Sequence, residues 1–321
     1  MIYLDHAATT PTAPEARAAM EPYYHKRYGN ASTPYEFGQR SRQAVENART
    51  VIADTLGVQP SEIYFTSGGT ESDNWALKST MEAYAYKGKH MITTQIEHHA
   101  IGNTCEYLRK RGFEVTELPV DREGRISMEE LERAIRPDTV LLSIMCANNE
   151  IGTLQDMETI GGIAQRRGII FHTDAVQAYG QIPIDVKKWH VHMLSASSHK
   201  FYGPKGCGFL YMKQGLRTES MIHGGAQESG RRAGTENVPG IVGMAKAAQI
   251  AFYHMDETME RETWMRDRMI HHICSEIPGA FLVGSLTERL PGNLNICFPG
   301  IQASNLVLLL DEAGICVSAG S

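Results

Sequence analysis

Ser195-Ala-Ser-Ser-His-Lys200 is the stretch from which the rest of the chain is read. It follows the apolar run from Val191 to Leu194 and leads into the turn-forming Tyr202-Gly-Pro-Lys-Gly206. A lysine at the end of a strand, with hydroxyls and a histidine just before it, is a positioned amine. Such an amine can form a Schiff base with a carbonyl compound. Taken alone, the hexapeptide reads rather as a solvated loop lysine beside a helix cap. Its surroundings decide between the two.

To either side, apolar runs of strand length alternate with helical segments. The pattern predicts strands at 63–65, 90–94, 114–118, 140–145 and 169–172, then 191–195 and 208–211, with helices at 71–84, 100–111, 128–135 and 159–167. Strands alternating with helices predict a mostly parallel sheet covered on both faces. Near-continuous apolar strands such as Val140-Leu-Leu-Ser-Ile-Met145 fit burial from both sides. Before this rhythm, Ala44, Val45, Ala48, Val51, Ile52 and Thr55 form one stripe of a helix over 38–56, closed by Gly57. A short helix is expected at 13–24, and a long helical region at 240–275 precedes the break at Pro278-Gly279. The last segment starts a new pattern: strand 293–298, helix 303–312, strand 316–318. The reading divides the chain into an N-terminal arm, 1–14, a large domain, 15–260, and the start of a small C-terminal α+β domain, 261–321.

A chain of 321 residues, 42% of them hydrophobic, can bury a large core. The mild net charge of −6, with no basic block, argues against nucleic acid as a partner. No apolar run reaches the roughly 18 residues of a membrane span, and the N-terminus shows no secretory pattern. The cytoplasm is the expected compartment. Cys105, Cys146, Cys207, Cys274, Cys297 and Cys316 lie far apart without a C-x-x-C pair, which supports neither a zinc site nor a disulfide framework.

Polar residues collect where the strands end. Thr66-Ser-Gly-Gly-Thr-Glu-Ser72 opens a helix, and its glycines and hydroxyls can present N–H groups to a phosphate or simply cap that helix. Glu97-His98-His99, Cys146-Ala-Asn-Asn-Glu-Ile-Gly152 and Thr173-Asp-Ala-Val-Gln177 follow three further strands, and Lys200 a fourth. Ligands of open α/β sheets bind beyond such carboxyl ends. An acid at a strand end is costly to bury without a cationic partner. Together these groups ask for a ligand with a phosphate, an aromatic ring and a protonatable ring nitrogen. Pyridoxal 5′-phosphate (PLP) meets each demand: Asp174 would keep its ring nitrogen charged, and Lys200 would hold its aldehyde.

The sequence resembles the cysteine desulfurases of the nitrogen-fixation and iron–sulfur-cluster type, in the class-V aminotransferase branch of the PLP-dependent fold type I enzymes. The matching stretches run in order through the chain. They are Tyr3-Leu-Asp-His-Ala-Ala-Thr-Thr-Pro11, Phe65-Thr-Ser-Gly-Gly-Thr-Glu-Ser72, Glu97-His98 and Asn148-Asn-Glu-Ile-Gly152. Then come His172-Thr-Asp-Ala-Val-Gln177, Ser197-Ser-His-Lys200 with Tyr202-Gly-Pro-Lys-Gly206, and Arg231-Arg-Ala-Gly-Thr-Glu-Asn237. The resemblance implies a seven-stranded, mostly parallel sheet with helices on both faces, and an incomplete smaller α+β domain.

The resemblance also implies roles. Lys200 would be the Schiff-base lysine, moving protons at the substrate carbon, and Asp174 would pair with the ring nitrogen. His98 would stack on the ring as an acid–base group, and Asn149 and Gln177 would bind its phenolic oxygen. Gly69, Thr70, Ser197, Ser198 and His199 would hold the phosphate. Thr235 would reach the phosphate in the neighbouring subunit of a homodimer. L-Cysteine would be the substrate and L-alanine the product, with sulfur passing through an enzyme persulfide to an acceptor protein. The family's nucleophilic cysteine lies just beyond a stretch matched by Ser318-Ala-Gly-Ser321, and its carboxylate-binding arginine further on, so the reading expects a longer protein than these residues. Cys316 falls within an expected strand and is read as packing. The competing readings are a selenocysteine lyase or serine–pyruvate-type aminotransferase, and a non-catalytic PLP-binding dimeric scaffold.

Overall fold

The computed structural model describes residues 1–319. Gly320 and Ser321, the end of the stretch matched to the nucleophile loop, lie outside the described residues. The strands are β1 (Ile2–Tyr3), β2 (Ile63–Thr66), β3 (His90–Thr94), β4 (Glu114–Leu118), β5 (Thr139–Ser143), β6 (Ile170–Asp174), β7 (Met193–Ser197), β8 (Gly208–Met212), β9 (Phe281–Leu282), β10 (Ile296–Cys297) and β11 (Ile315–Cys316). The helices are α1 (Pro14–Met20), α2 (Pro22–His25), α3 (Glu36–Leu56), α4 (Gly69–Ala83), α5 (His99–Lys110), α6 (Met128–Ala134), α7 (Met157–Arg167), α8 (Val238–Tyr253), α9 (Met255–Glu276) and α10 (Ala303–Glu312).

Seven strands form one sheet in the order β2-β8-β7-β6-β5-β3-β4. Six run the same way, and β8 runs antiparallel to both its neighbours, β2 and β7. The alternation of side chains explains the two layers of helices. Met91, Leu141, Ile170, Met193 and Leu210 join Trp75, Leu77 and Met81 of α4 and Ile101 and Leu108 of α5 in one apolar core. The residues one step along, Ile92, Leu142, Phe171, Leu194 and Phe209, join Ile52 of α3, Ile160 of α7 and Met244 of α8 in the other. Every residue of β3, β5, β6, β7 and β8 is buried, as two-sided packing requires.

Several boundaries differ from the sequence reading. The single helix expected at 13–24 is two, because Pro22 cannot continue α1 and instead begins α2. The helical region at 240–275 is α8 and α9, meeting at His254, whose φ of −104° and ψ of 12° leave the helical region. Helix α9 runs unbroken across residue 260. Asp174 does not follow its strand but ends it, paired with Ser195. Two small pairings stand outside the main sheet: β9 with β10 antiparallel, and β1 with β11 parallel. Among the described residues, no helix is long and apolar enough to cross a membrane.

Candidate active site

The segment after β2 turns sharply into α4 through Gly68, whose φ of 150° and ψ of −176° are open essentially to glycine alone. A Cβ at Gly69 would stand 2.5 Å from Val176 Cγ2, and one at Gly208 would stand 2.6 Å from the Gly68 Cα. The loop is thus pressed against the chain leaving β6 and entering β8. Because α4 begins at Gly69, the amides of its first residues lack partners within the helix. These residues line a cavity of about 460 Å³. Gly69, Thr70, Ser197 and His199, all expected from the sequence, border it, together with Ser67 and Lys205, which the sequence reading did not single out. Ser198 is not brought there. It is wholly buried, with its hydroxyl against Gly203 and without a hydrogen-bond partner.

Lys200 ends a short 3-10 turn, 198–200, after β7. Its ammonium donates to the carbonyls of Ala7 and Ala8, the latter at 3.0 Å. The N-terminal arm is stitched to this loop: Thr10 N donates to His199 O at 2.9 Å, Tyr202 N to Thr10 Oγ1 at 2.8 Å, and Ala13 N to Tyr202 O at 2.9 Å. Burial lowers the Lys200 pKa, while Asp174 and Asp5 raise it. Burial, with Lys200 and Lys205 close by, brings His199 down to about 4, so its ring is neutral and free to accept from or donate to Thr9 Oγ1 at 3.1 Å.

Asp174 is buried, its Oδ1 accepting from Val176 N at 2.8 Å. Burial raises its pKa, and the Val176 amide, His98 and Lys200 pull it back. Beneath it lies a polar row that the sequence reading passed over. His172 Nδ1 meets Ser143 Oγ at 2.9 Å, His172 Nε2 meets Ser195 Oγ at 3.0 Å, and Asp73 of α4 approaches the same nitrogen at 3.7 Å. Burial drives His172 down to about 3. Asp73 is held well above the usual carboxylate range by burial and by Asp174. Burial thus keeps the His172 ring neutral and disfavours charge on Asp73. One signal was available: His172 and Ser195 are polar residues at inward positions of otherwise apolar strands.

The next strand end brings a third acid, Glu97, half-buried as a residue. Glu97 Oε1 accepts from Thr94 Oγ1 and Met145 N, each at 2.9 Å, while Oε2 is buried without a partner. Burial, with a contribution from Asp174, pushes its carboxyl up to about 8. Between the unfolded value, 4.5, and about 8 the folded protein holds a proton that the unfolded chain has lost. Stability therefore falls as pH rises through that window, by up to about 1.4 kcal/mol per pH unit. Glu97→Gln removes this dependence, so the variant's denaturation midpoint should gain on the wild type between about pH 5 and pH 8. A difference that stays constant across that range would show that Glu97 is ionised in the fold.

The remaining expected residues are dispersed around this centre. His98 caps α5, its Nδ1 accepting from Ala100 N at 3.1 Å, and is exposed beside Thr70 in a second cleft of about 280 Å³. Asn149 is half-buried after β5. Gln177 Nε2 donates to Ala7 O at 2.9 Å, so it shares that carbonyl with Lys200. Thr235 is exposed on the loop before α8 and does not border the cavity.

These residues fit PLP. The glycine-lined cradle that side chains would fill suits a phosphate, and the buried Asp174 at a strand end suits a cationic ring nitrogen. A sheet with one antiparallel strand and such a lysine after β7 is the architecture of fold type I PLP enzymes. The aminotransferase class-V family profile matches residues 2–321. A cysteine desulfurase IscS of Methanosarcina thermophila is 52% identical over 320 residues, covering 100% of this chain and 79% of the relative. Among solved structures, a NifS-like protein superposes with a TM-score of 0.97 at 41% identity, covering 99% of this chain and 87% of its own. SspA in complex with cysteine gives 0.89 at 37% identity, covering 100% and 90%. The chain belongs to the class-V aminotransferase family and, within it, to the PLP-dependent cysteine desulfurases.

Gly68→Ala should weaken PLP binding by about tenfold or more, since forcing a side chain into this conformation costs about 1–3 kcal/mol. Titration of the cofactor's visible absorbance measures it. Unchanged affinity would mean the loop's shape does not matter to the ligand.

Proposed function

We propose that this protein removes sulfur from L-cysteine, giving L-alanine, and hands the sulfur to an acceptor protein for iron–sulfur or other thio-cofactor assembly. The observation that carries this reading is the convergence of Lys200, Asp174 and the Ser67–Thr70 cradle in a chain 52% identical to a cysteine desulfurase. When bound, PLP supplies an electron sink for the pair left at the substrate α-carbon. The chain's own residues do the rest. The Ser67–Thr70 amides, with Ser197, His199 and Lys205, would hold the phosphate. Asp174 would keep the ring nitrogen charged, and Asn149 and Gln177 would hydrogen-bond the ring's phenolic oxygen. His98 stands as an acid–base group at the head of α5. Lys200, whose pKa is lowered by burial so that more of it is free amine, takes and returns the α-proton. The carbonyls of Ala7 and Ala8 give the free amine a seat.

The sulfur-accepting thiolate is not one of the three fully buried cysteines. Burial pushes Cys105, Cys146 and Cys207 up to about 12, where the thiol stays protonated and a poor nucleophile. Cys316 sits in β11, half-buried and paired with Tyr3, and we read it as packing. We further read residues 1–14 as an arm closing over Lys200, 15–260 as the PLP-binding domain and the remainder as the beginning of a smaller domain. The exposed Thr235 fits a homodimer in which it reaches the neighbouring subunit's phosphate. All six cysteines are free, in keeping with the cytoplasm.

The test is product analysis with L-cysteine, PLP and a reducing thiol. Alanine and sulfide in equal amounts are expected. Keto-acid formation, amino transfer between serine and pyruvate, or turnover confined to selenocysteine would overturn the reading.

A further inference from the structure

Strand β2 forms one edge of the sheet and is bonded only to β8. Its outward-facing groups therefore have no strand to pair with, and an open edge is a liability that folds must cover. Here a side-chain ion pair covers it. Arg49 Nη1 of α3 donates to Ile63 O at 2.6 Å, and Phe65 N donates to Glu228 Oε2 at 2.9 Å. The two side chains grip each other at 2.7 and 2.8 Å, and the guanidinium lies 4.6 Å from the centre of the Phe65 ring. Both residues are buried, 8% and 9% exposed.

The loop that brings Glu228 here is bent against preference. Glu228 and Ser229 have φ of 48° and 58°, left-handed values that side chains adopt only when the surroundings hold them there. A few residues on, Arg232 donates to Glu71 at 2.7 and 3.0 Å, and Glu71 Oε2 in turn accepts from Ser67 N at 2.8 Å. Ser67 is the first residue after β2 and borders the cavity. The ion pair thus touches the cradle twice: through the strand that leads into it, and through the strained loop, Arg232 and Glu71.

We propose that the Arg49–Glu228 ion pair is a positioning device for the phosphate cradle, setting the Ser67–Thr70 turn for the anion it receives. This rests on the reading of that turn as the phosphate seat. A pair that merely held the fold together would affect every ligand of the site alike. One that sets the cradle affects only ligands with a phosphate.

The experiment compares PLP with pyridoxal, which has the same ring and aldehyde but no phosphate. Both are titrated by visible absorbance into wild type, Glu228→Ala, Glu228→Gln and Arg49→Lys, with circular dichroism and melting to follow the fold. Glu228→Ala should weaken PLP by about tenfold or more and pyridoxal by less than about twofold. Glu228→Gln, which keeps an acceptor for Phe65 N and Arg49, should recover most of the loss. If Glu228→Ala does not fold, Arg49→Lys, which keeps the charge and loses the two-pronged grip, carries the same expectation. Equal weakening of both ligands, or no weakening of either, overturns the proposal. A wild type that binds the two ligands equally would overturn the phosphate seat itself, and the proposal with it.

Discussion

Lys200→Ala should fold normally, lose the visible absorbance that a lysine-linked cofactor shows, and exchange the α-proton of bound amino acid at least about 10⁴-fold more slowly. Two functions disappear together, the amine that holds the aldehyde and the base that moves the proton. Proton exchange in heavy water is the informative assay, because it needs no sulfur-accepting thiolate. Folding should survive. The arm keeps its bonds from Thr10 N to His199 O and from Ala13 N to Tyr202 O without the lysine side chain. Persistence of the visible band, or proton exchange within about tenfold of wild type, would remove Lys200 from its role.

The second large effect is expected at Asp174. Without its carboxylate the ring nitrogen has no partner to keep it protonated, and the same exchange assay should fall by about 10²–10³. The sign of the stability change is opposite to that of most buried substitutions. The charge of Asp174 helps raise the carboxyls of Asp73 and Glu97. Removing it from the cofactor-free protein lifts the cost of burying a charge there, so Asp174→Ala should melt no lower than wild type. Asp174→Asn keeps an acceptor for Val176 N while losing the charge, and should share the loss in rate. Unchanged exchange in either variant would mean that the ring is not electronically coupled to this residue.

Much of this was legible in the chain. The near-continuous apolar strands and the helical segments between them give the sheet, since Val140-Leu-Leu-Ser-Ile has nowhere to go but between two layers. The residues around Lys200 were legible because their chemistry is out of place at strand ends. What was not legible depends on contacts between distant segments. The antiparallel course of β8 cannot be told from its apolar run, because both directions bury the same side chains. The seat of Lys200 is made by backbone carbonyls of Ala7 and Ala8, which have no side-chain signature. Ser198 sits among residues of the cavity in sequence, yet the 3-10 turn swings its hydroxyl toward Gly203. Arg49 and Glu228 are 179 positions apart and look like ordinary surface charges until the strand edge between them is seen.

The pairing of β1 with β11 joins Ile2 to Ile315 and Tyr3 to Cys316. The entropic toll of closing so long a stretch of chain, together with the distance between its partners along the sequence, makes this among the last contacts to form. A ribosome must have finished residue 316 before the beginning of the polypeptide can be fastened at both its own end and the lysine loop. Until then the nascent protein carries its reactive amine under an arm tethered from one side only. Synthesis of β11, rather than folding of the sheet, is the event that fastens the far end of the arm.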